Sequence, residues 1–129
     1  MFHVIKSTED IHNFIDKTNA LHDGYVVGVQ YTNNGVSKTE SVHYLEPDKT
    51  KLTLRILVTS IRDAVVEIEF EDLLEWQIKN RPFYDITNTS VYFNEKGRLV
   101  WMDDIDTNTK EMKQCSYVIA GSMKWRMTE

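Results

Sequence analysis

The chain reads as an α+β protein dominated by antiparallel β-structure: a sandwich or curved sheet of about eight strands with one N-terminal amphipathic helix. Three observations predict this. An apolar stripe of helical period occurs once, near the N-terminus, and beyond it apolar residues recur at period two in one segment after another. Short turn-forming stretches separate those segments, whereas parallel strands need crossovers of a dozen or more residues. With 129 residues, 41% hydrophobic and 27% charged, the chain is long and apolar enough for a single domain spanning 1–129 around its own core.

Residues 1–6 are apolar enough for a short strand or an ordered lead-in. Ser7 reads as a helix N-cap, because its hydroxyl can accept from the Asp10 backbone N–H while Glu9 and Asp10 lie where the helix dipole favours negative charge. Ile11, Phe14, Ile15 and Thr18 follow at helical spacing, which predicts a helix over 8–18 with its Ile/Phe stripe on a core. After Leu21-His22-Asp23-Gly24 the period changes, and over 25–32 Tyr25, Val27, Val29 and Tyr31 share one face of a strand. Asn33-Asn34-Gly35 predicts a hairpin turn. Residues 36–45 return as a more polar strand, near a sheet edge or partly irregular, ended by Glu46-Pro47-Asp48.

Leu52, Leu54, Ile56 and Val58 alternate with Lys51, Thr53 and Arg55, and after a turn at 60–63 Val66, Ile68 and Phe70 alternate with Glu67, Glu69 and Glu71. Residues 73–79 have helix-favouring types, yet Leu74, Trp76 and Ile78 alternate with Glu75, Gln77 and Lys79. A strand joined through a bend at Glu71-Asp72 is therefore preferred, with helix as the competing reading. Asn80-Arg81-Pro82 breaks the pattern. A strand over 85–93 containing Ile86, Val91 and Phe93 then meets a tight turn, Asn94-Glu95-Lys96-Gly97, and a strand over 98–103. Residues 104–110 form a polar loop, and 114–126 one long strand or two split at Gly121-Ser122.

Composition excludes several functions. With 15 Lys+Arg against 20 Asp+Glu the net charge is -5, which argues against nucleic acid as a partner, since phosphate contact needs clustered positive charge. No apolar run approaches the roughly 20 residues needed to cross a bilayer, so no membrane partner is expected. A lone Cys115 cannot form an intramolecular disulfide, and beside four dispersed His it cannot build a cysteine-rich zinc site, so neither metal nor cofactor is expected. Glu9, Asp10 and Asp16 near the N-terminus are unlike a secretory signal, and a cytoplasmic location follows as the expectation.

Four features are candidate sites, each weighed against a purely structural role. His22-Asp23 pairs a base with an orienting carboxylate, or two metal ligands, if Gly24 turns the chain there; otherwise it is a helix-to-strand junction. Asp103 precedes and Asp104 opens a D-x-D-x-N run resembling the start of a calcium loop, but Thr109 and Cys115 stand where Gly and Glu are required, which excludes an EF-hand. Glu67 and Glu69, with Glu71, Asp72 and Glu75, put five acids in nine residues, a surface for a basic protein partner or a device that keeps the strand wet. Trp101 and Trp125 fit a sheet core, although Trp125 beside Arg126 also has the composition of a recognition hot spot.

The helix leading to Leu21-His22-Asp23-Gly24, the strand Val66-Glu67-Ile68-Glu69-Phe70-Glu71-Asp72, Leu99-Val100-Trp101-Met102-Asp103-Asp104 and the closing stretch from Ala120 to Trp125-Arg126 together resemble a family of small, uncharacterised bacterial proteins. Its members carry a helix followed by F-H-D, an I-E-F-E-G-like strand, a W-x-D hairpin strand and an A-x-S-x-K-W-R-like end. Here Leu21 replaces the usual Phe, and Asp72-Leu73 replaces a Gly-Val bend. The resemblance implies a mainly β cytosolic protein without an assigned activity, in the company of small acidic immunity proteins that neutralise toxins. Three roles stay open: a non-enzymatic, immunity-like protein-binding module, which leads; a ligand-binding domain or enzyme with a cleft near His22, Asp23, Trp101 and Asp103; and a homo-oligomer paired through its last strand or through the 36–45 edge.

Overall fold

The computed structural model describes residues 1–46, 49–79, 85–104 and 114–128. Helix α1 runs Thr8–Thr18 behind a capping box, in which the Ser7 hydroxyl accepts from the Asp10 N–H at 3.2 Å and the Asp10 carboxylate accepts from the N–H groups of Lys6 (2.9 Å) and Ser7 (3.1 Å). These bonds, that from Lys6 foremost, hold the Asp10 carboxyl below its ordinary pKa. Ile11, Phe14 and Thr18 are buried, as the stripe predicts.

Nine strands lie among the described residues: β1 His3–Val4, β2 Gly24–Asn33, β3 Val36–Thr39, β4 Val42–Leu45, β5 Thr50–Val58, β6 Ala64–Gln77, β7 Ser90–Phe93, β8 Leu99–Met102 and β9 Tyr117–Thr128. One antiparallel sheet has the order β2-β5-β6-β9-β8-β7, with β1 on the same side of β9 as β8, and β3 pairs with β4 separately. The 73–77 segment is strand, as its alternation predicts, and β9 is one long strand rather than two. On one side β9 pairs with β6 along its length, and on the other with β8 over Tyr117–Ala120 and with β1 at Lys124 and Trp125.

Three expectations need correction. Asn33-Asn34-Gly35 does not close a hairpin: β2 pairs with β5, from Gly24↔Val58 to Asn33↔Thr50, and residues 36–45 fold on themselves through Glu40 at φ 55°. The long apolar register with β5 outweighs the local turn signal. A bulge between Val26 and Gly28 divides the Tyr25–Tyr31 set, so that Tyr25 lies opposite Leu57 on one face while Val29 and Tyr31 lie opposite Leu54 and Leu52 on the other. Within 85–93 only Ser90–Phe93 joins the sheet as a strand; Ile86 makes an isolated bridge to Gly24. The expected breaks at Pro47-Asp48 and Asn80-Arg81-Pro82, and the loop from 105 onward, lie outside the described residues.

Curling of the sheet creates the core. β6 bends at Asp72, whose φ is 57°, and its register with β9 shifts between Leu73 and Glu75. Leu52, Leu54, Ile56 and Val58 of β5 and Val66, Ile68 and Phe70 of β6 are fully buried. The Phe70 ring meets Trp101 at 6.3 Å and Tyr31 meets Trp76 at 5.6 Å, while Phe14 of α1 stands edge-on to Trp125 at 5.3 Å. The two ends of the sheet approach where Asp23 N–H donates to the Ile86 carbonyl and Ile86 N–H donates to that of Gly24. A Cβ on Gly24 would lie 2.6 Å from the Leu21 carbonyl oxygen, so this closure requires glycine. No helix among the described residues is long and apolar enough to cross a membrane.

Candidate functional site

His22 and Asp23 form a clasp between elements. Three successive residues ahead of them, Asn19, Ala20 and Leu21, have positive φ, which swings the chain from α1 into β2. The Nδ1–H of His22 donates to the Thr87 carbonyl at 2.6 Å, and Nε2 lies 3.6 Å from the Asp23 carboxylate. The His22 carbonyl accepts from the Ser60 hydroxyl, and that of Asp23 accepts from both the N–H and the hydroxyl of Thr59. The pair thus ties β2 to the β5–β6 turn and to the segment before β7. Both side chains remain about half exposed.

Asp103 and Trp101 are not lining residues of an open cleft. Asp103 is 3% exposed, and its backbone N–H and carboxylate bond to the backbone of Ser116, fastening the end of β8 to the start of β9. Trp101 is wholly buried, and its Nε1 and that of Trp125 have no hydrogen-bond partner among the described residues. Asp104 accepts the Ser90 hydroxyl through its carbonyl. Trp125 points into the core and Arg126 to the opposite face, so they do not form a joint rim. Cys115 is half-buried against Val100, Met102 and Tyr117. Among the described residues no three His, Cys, Asp or Glu side chains converge on a common point.

The acidic strip is held between cations. Glu67, 9% exposed, pairs with Arg126 at 2.9 Å and with Arg55 at 3.6 Å; Glu69 pairs with Lys51 at 3.2 Å and Glu71 with Lys124 at 3.9 Å. Strand pairing explains this, because β5 and β9 flank β6 and put Arg55 and Arg126 directly opposite Glu67. The Phe2 ring lies 4.8 Å from Lys124 Nζ and 4.3 Å from Arg126 Cζ, capping the cations. The three glutamates therefore do not form an unbalanced acidic face. Farther along β6, Asp72 pairs with Arg98 at 3.6 Å, and Glu75 accepts the Tyr117 hydroxyl.

Exposed apolar surface gathers elsewhere, at the β2 end of the sheet. Tyr25, Val27, Val29 and Tyr31 on β2 are 42–56% exposed, and Val36, Val42, Tyr44 and Leu45 on the β3–β4 hairpin are 46–62% exposed. The hairpin continues the β2–β5 ladder past its last pair, through Asn34 N–H to the Lys49 carbonyl and Glu46 N–H to the Gly35 carbonyl, and so projects as an arm. Val36 pairs with Leu45 and Lys38 with His43, while Tyr44 lies opposite Ser37, so both faces of the arm carry exposed apolar groups. Sequence reasoning placed 36–45 near an edge but missed this surface. The readable signal was Val27-Gly28 within a strand pattern, since an internal glycine often marks a bulge.

A concavity of about 480 Å³ lies between α1 and β7 and is lined by Ile11, His12 and Ile15 on one side and residues 89–93 on the other. It offers one imidazole and several hydroxyls, and no acidic side chain among its described lining. Family models, curated proteins and solved structures yielded no match to this chain, so its function is argued from these surfaces alone.

Proposed function

We propose that the protein is a non-enzymatic protein-binding module that presents the β3–β4 arm to its partner. The observation carrying this reading is the arm itself: a two-stranded ribbon with Val36, Val42, Tyr44 and Leu45 exposed and none of the residues of β4 buried. An isolated hairpin is marginally stable in water, and covering its apolar side chains gains about 25 cal/mol per Å². Lys38, Glu40, Glu46 and Lys49 around it have mixed sign, which favours selection by shape and apolar contact over a field of one charge. The ion-paired strip offers a basic partner much less. A cytoplasmic, sequestering role of the immunity type is the form in which the family resemblance supports this reading.

Affinity capture from the native cell tests it, comparing the natural chain with a Val42→Lys/Tyr44→Lys variant. One protein retained in stoichiometric amount at low and high salt, and lost with the variant at unchanged thermal midpoint, is the expected result. Retention of nothing, or equal retention by the variant, would sink the proposal. Retention at low salt alone, indifferent to the variant, would instead implicate the charged strip and a basic partner. A ligand-binding or enzymatic role is better supported at the α1–β7 groove than at His22 and Asp103, because the groove is open whereas Asp103 is buried.

A further inference from the structure

We infer that the free edge of β2 pairs antiparallel with β2 of a second copy about a two-fold axis at Gln30, making one sheet continuous across a dimer that displays two arms. The proposal rests on how differently the two ends of the sheet are protected. Natural sheets shield their edges with charges, proline, short strands or a covering element. At one end β7 is four residues long and has α1 beside it. At the other, β2 is ten residues long, Gly-Tyr-Val-Val-Gly-Val-Gln-Tyr-Thr-Asn, without a charge or a proline in a chain that is 27% charged. Beyond the Gly24–Ile86 bridge, no strand among the described residues pairs with its outer side. A strand so composed exposes a backbone template with nothing to repel a partner.

That partner is a second copy because β2 is complementary to itself. A two-fold pairing sets each residue against itself or a near neighbour, so any charge would oppose its own kind; β2 has none. The bulge at Val26/Gly28 limits regular pairing to residues 28–33. Directly opposed residues share a face, which requires the axis to pass through a residue and not between two. With the axis at Gln30, Val29 meets Tyr31 of the second copy twice over, on the face where both are 44–45% exposed, and the two Gln30 amides meet on the other. The same operation brings the start of the partner's arm alongside Tyr25 and Val27.

Sedimentation equilibrium over a wide concentration range, with two variants, tests this. The natural chain should rise from 15.1 kDa to a plateau at twice that mass. Val29→Lys should stay at the monomer mass, with the thermal midpoint that the natural chain shows at dilutions where it too is monomeric, because its ammonium would face Tyr31 at both ends of the interface. Gln30→Cys should give a disulfide-linked dimer on mild oxidation, while Lys38→Cys on the arm should not. A natural chain that stays monomeric throughout, a Val29→Lys dimer as tight as the natural one, or growth past two copies would each overturn the inference. Should Val29→Lys unfold, the cysteine pair still decides. Partner capture by the Val29→Lys monomer separates this proposal from the role of the arm.

Discussion

Tyr117 donates its hydroxyl to the Glu75 carboxylate, and that bond, aided by burial and the negative charge of Glu75, pushes the phenol up to about 12. The folded value exceeds the ordinary 10, so the stability it contributes is present below pH 10 and is lost as pH climbs towards 12. Tyr117→Phe should cost about 1 kcal/mol at neutral pH and flatten this alkaline limb, which urea titrations at a series of pH values would measure. An unchanged limb would refute the assignment. At this scale local chemistry is legible in the sequence: Ser7 reveals its cap because donor and acceptor lie three residues apart. Glu67 is the opposite case. Its partners Arg55 and Arg126 are remote in sequence, so five acids in nine residues read as an acidic surface until strand pairing supplies the cations.

Elements are legible wherever periodicity is uninterrupted. β5 alternates without a break, and its boundaries and buried face follow from that pattern alone. In β2 a single extra residue reverses which side chains face inward, and period-two reading cannot locate it. The β6 bend lies between these cases, because the residues at 71–72 mark it while its geometry depends on β9. Gly121 faces Asp72 there, and an added Cβ would lie 2.9 Å from the Asp72 Cβ and inside contact distance of its carboxylate. Gly121→Ala should therefore destabilise the protein by about 2 kcal/mol. Adding Asp72→Gly, which removes the obstructing side chain and tolerates φ of 57°, should restore most of the loss in a denaturant titration. Equal stability of the single and double variants would show that the bend is not held by this contact.

At the scale of the molecule, the curl of one sheet replaces a second layer. Phe70 and Trp101 meet across it, both fully buried, and Trp101→Ala should cost about 3–5 kcal/mol in equilibrium unfolding, a large part of the ~5–15 kcal/mol that stabilises a typical domain. A loss below 1 kcal/mol would mean that the two halves pack independently. The sequence by itself determined the one capped helix, the antiparallel strands and the inward faces of β5 and the first half of β6, because caps and periodicities are short-range properties of the chain. Tertiary structure alone decided that β2 joins β5 across the 36–45 arm, that Glu67 is neutralised by two arginines, that Asp103 is a buried fastener, and that the exposed apolar surface lies on β2 and its arm. Each of these depends on which strands become neighbours, and that is settled by the burial of residues from across the whole chain in a single core.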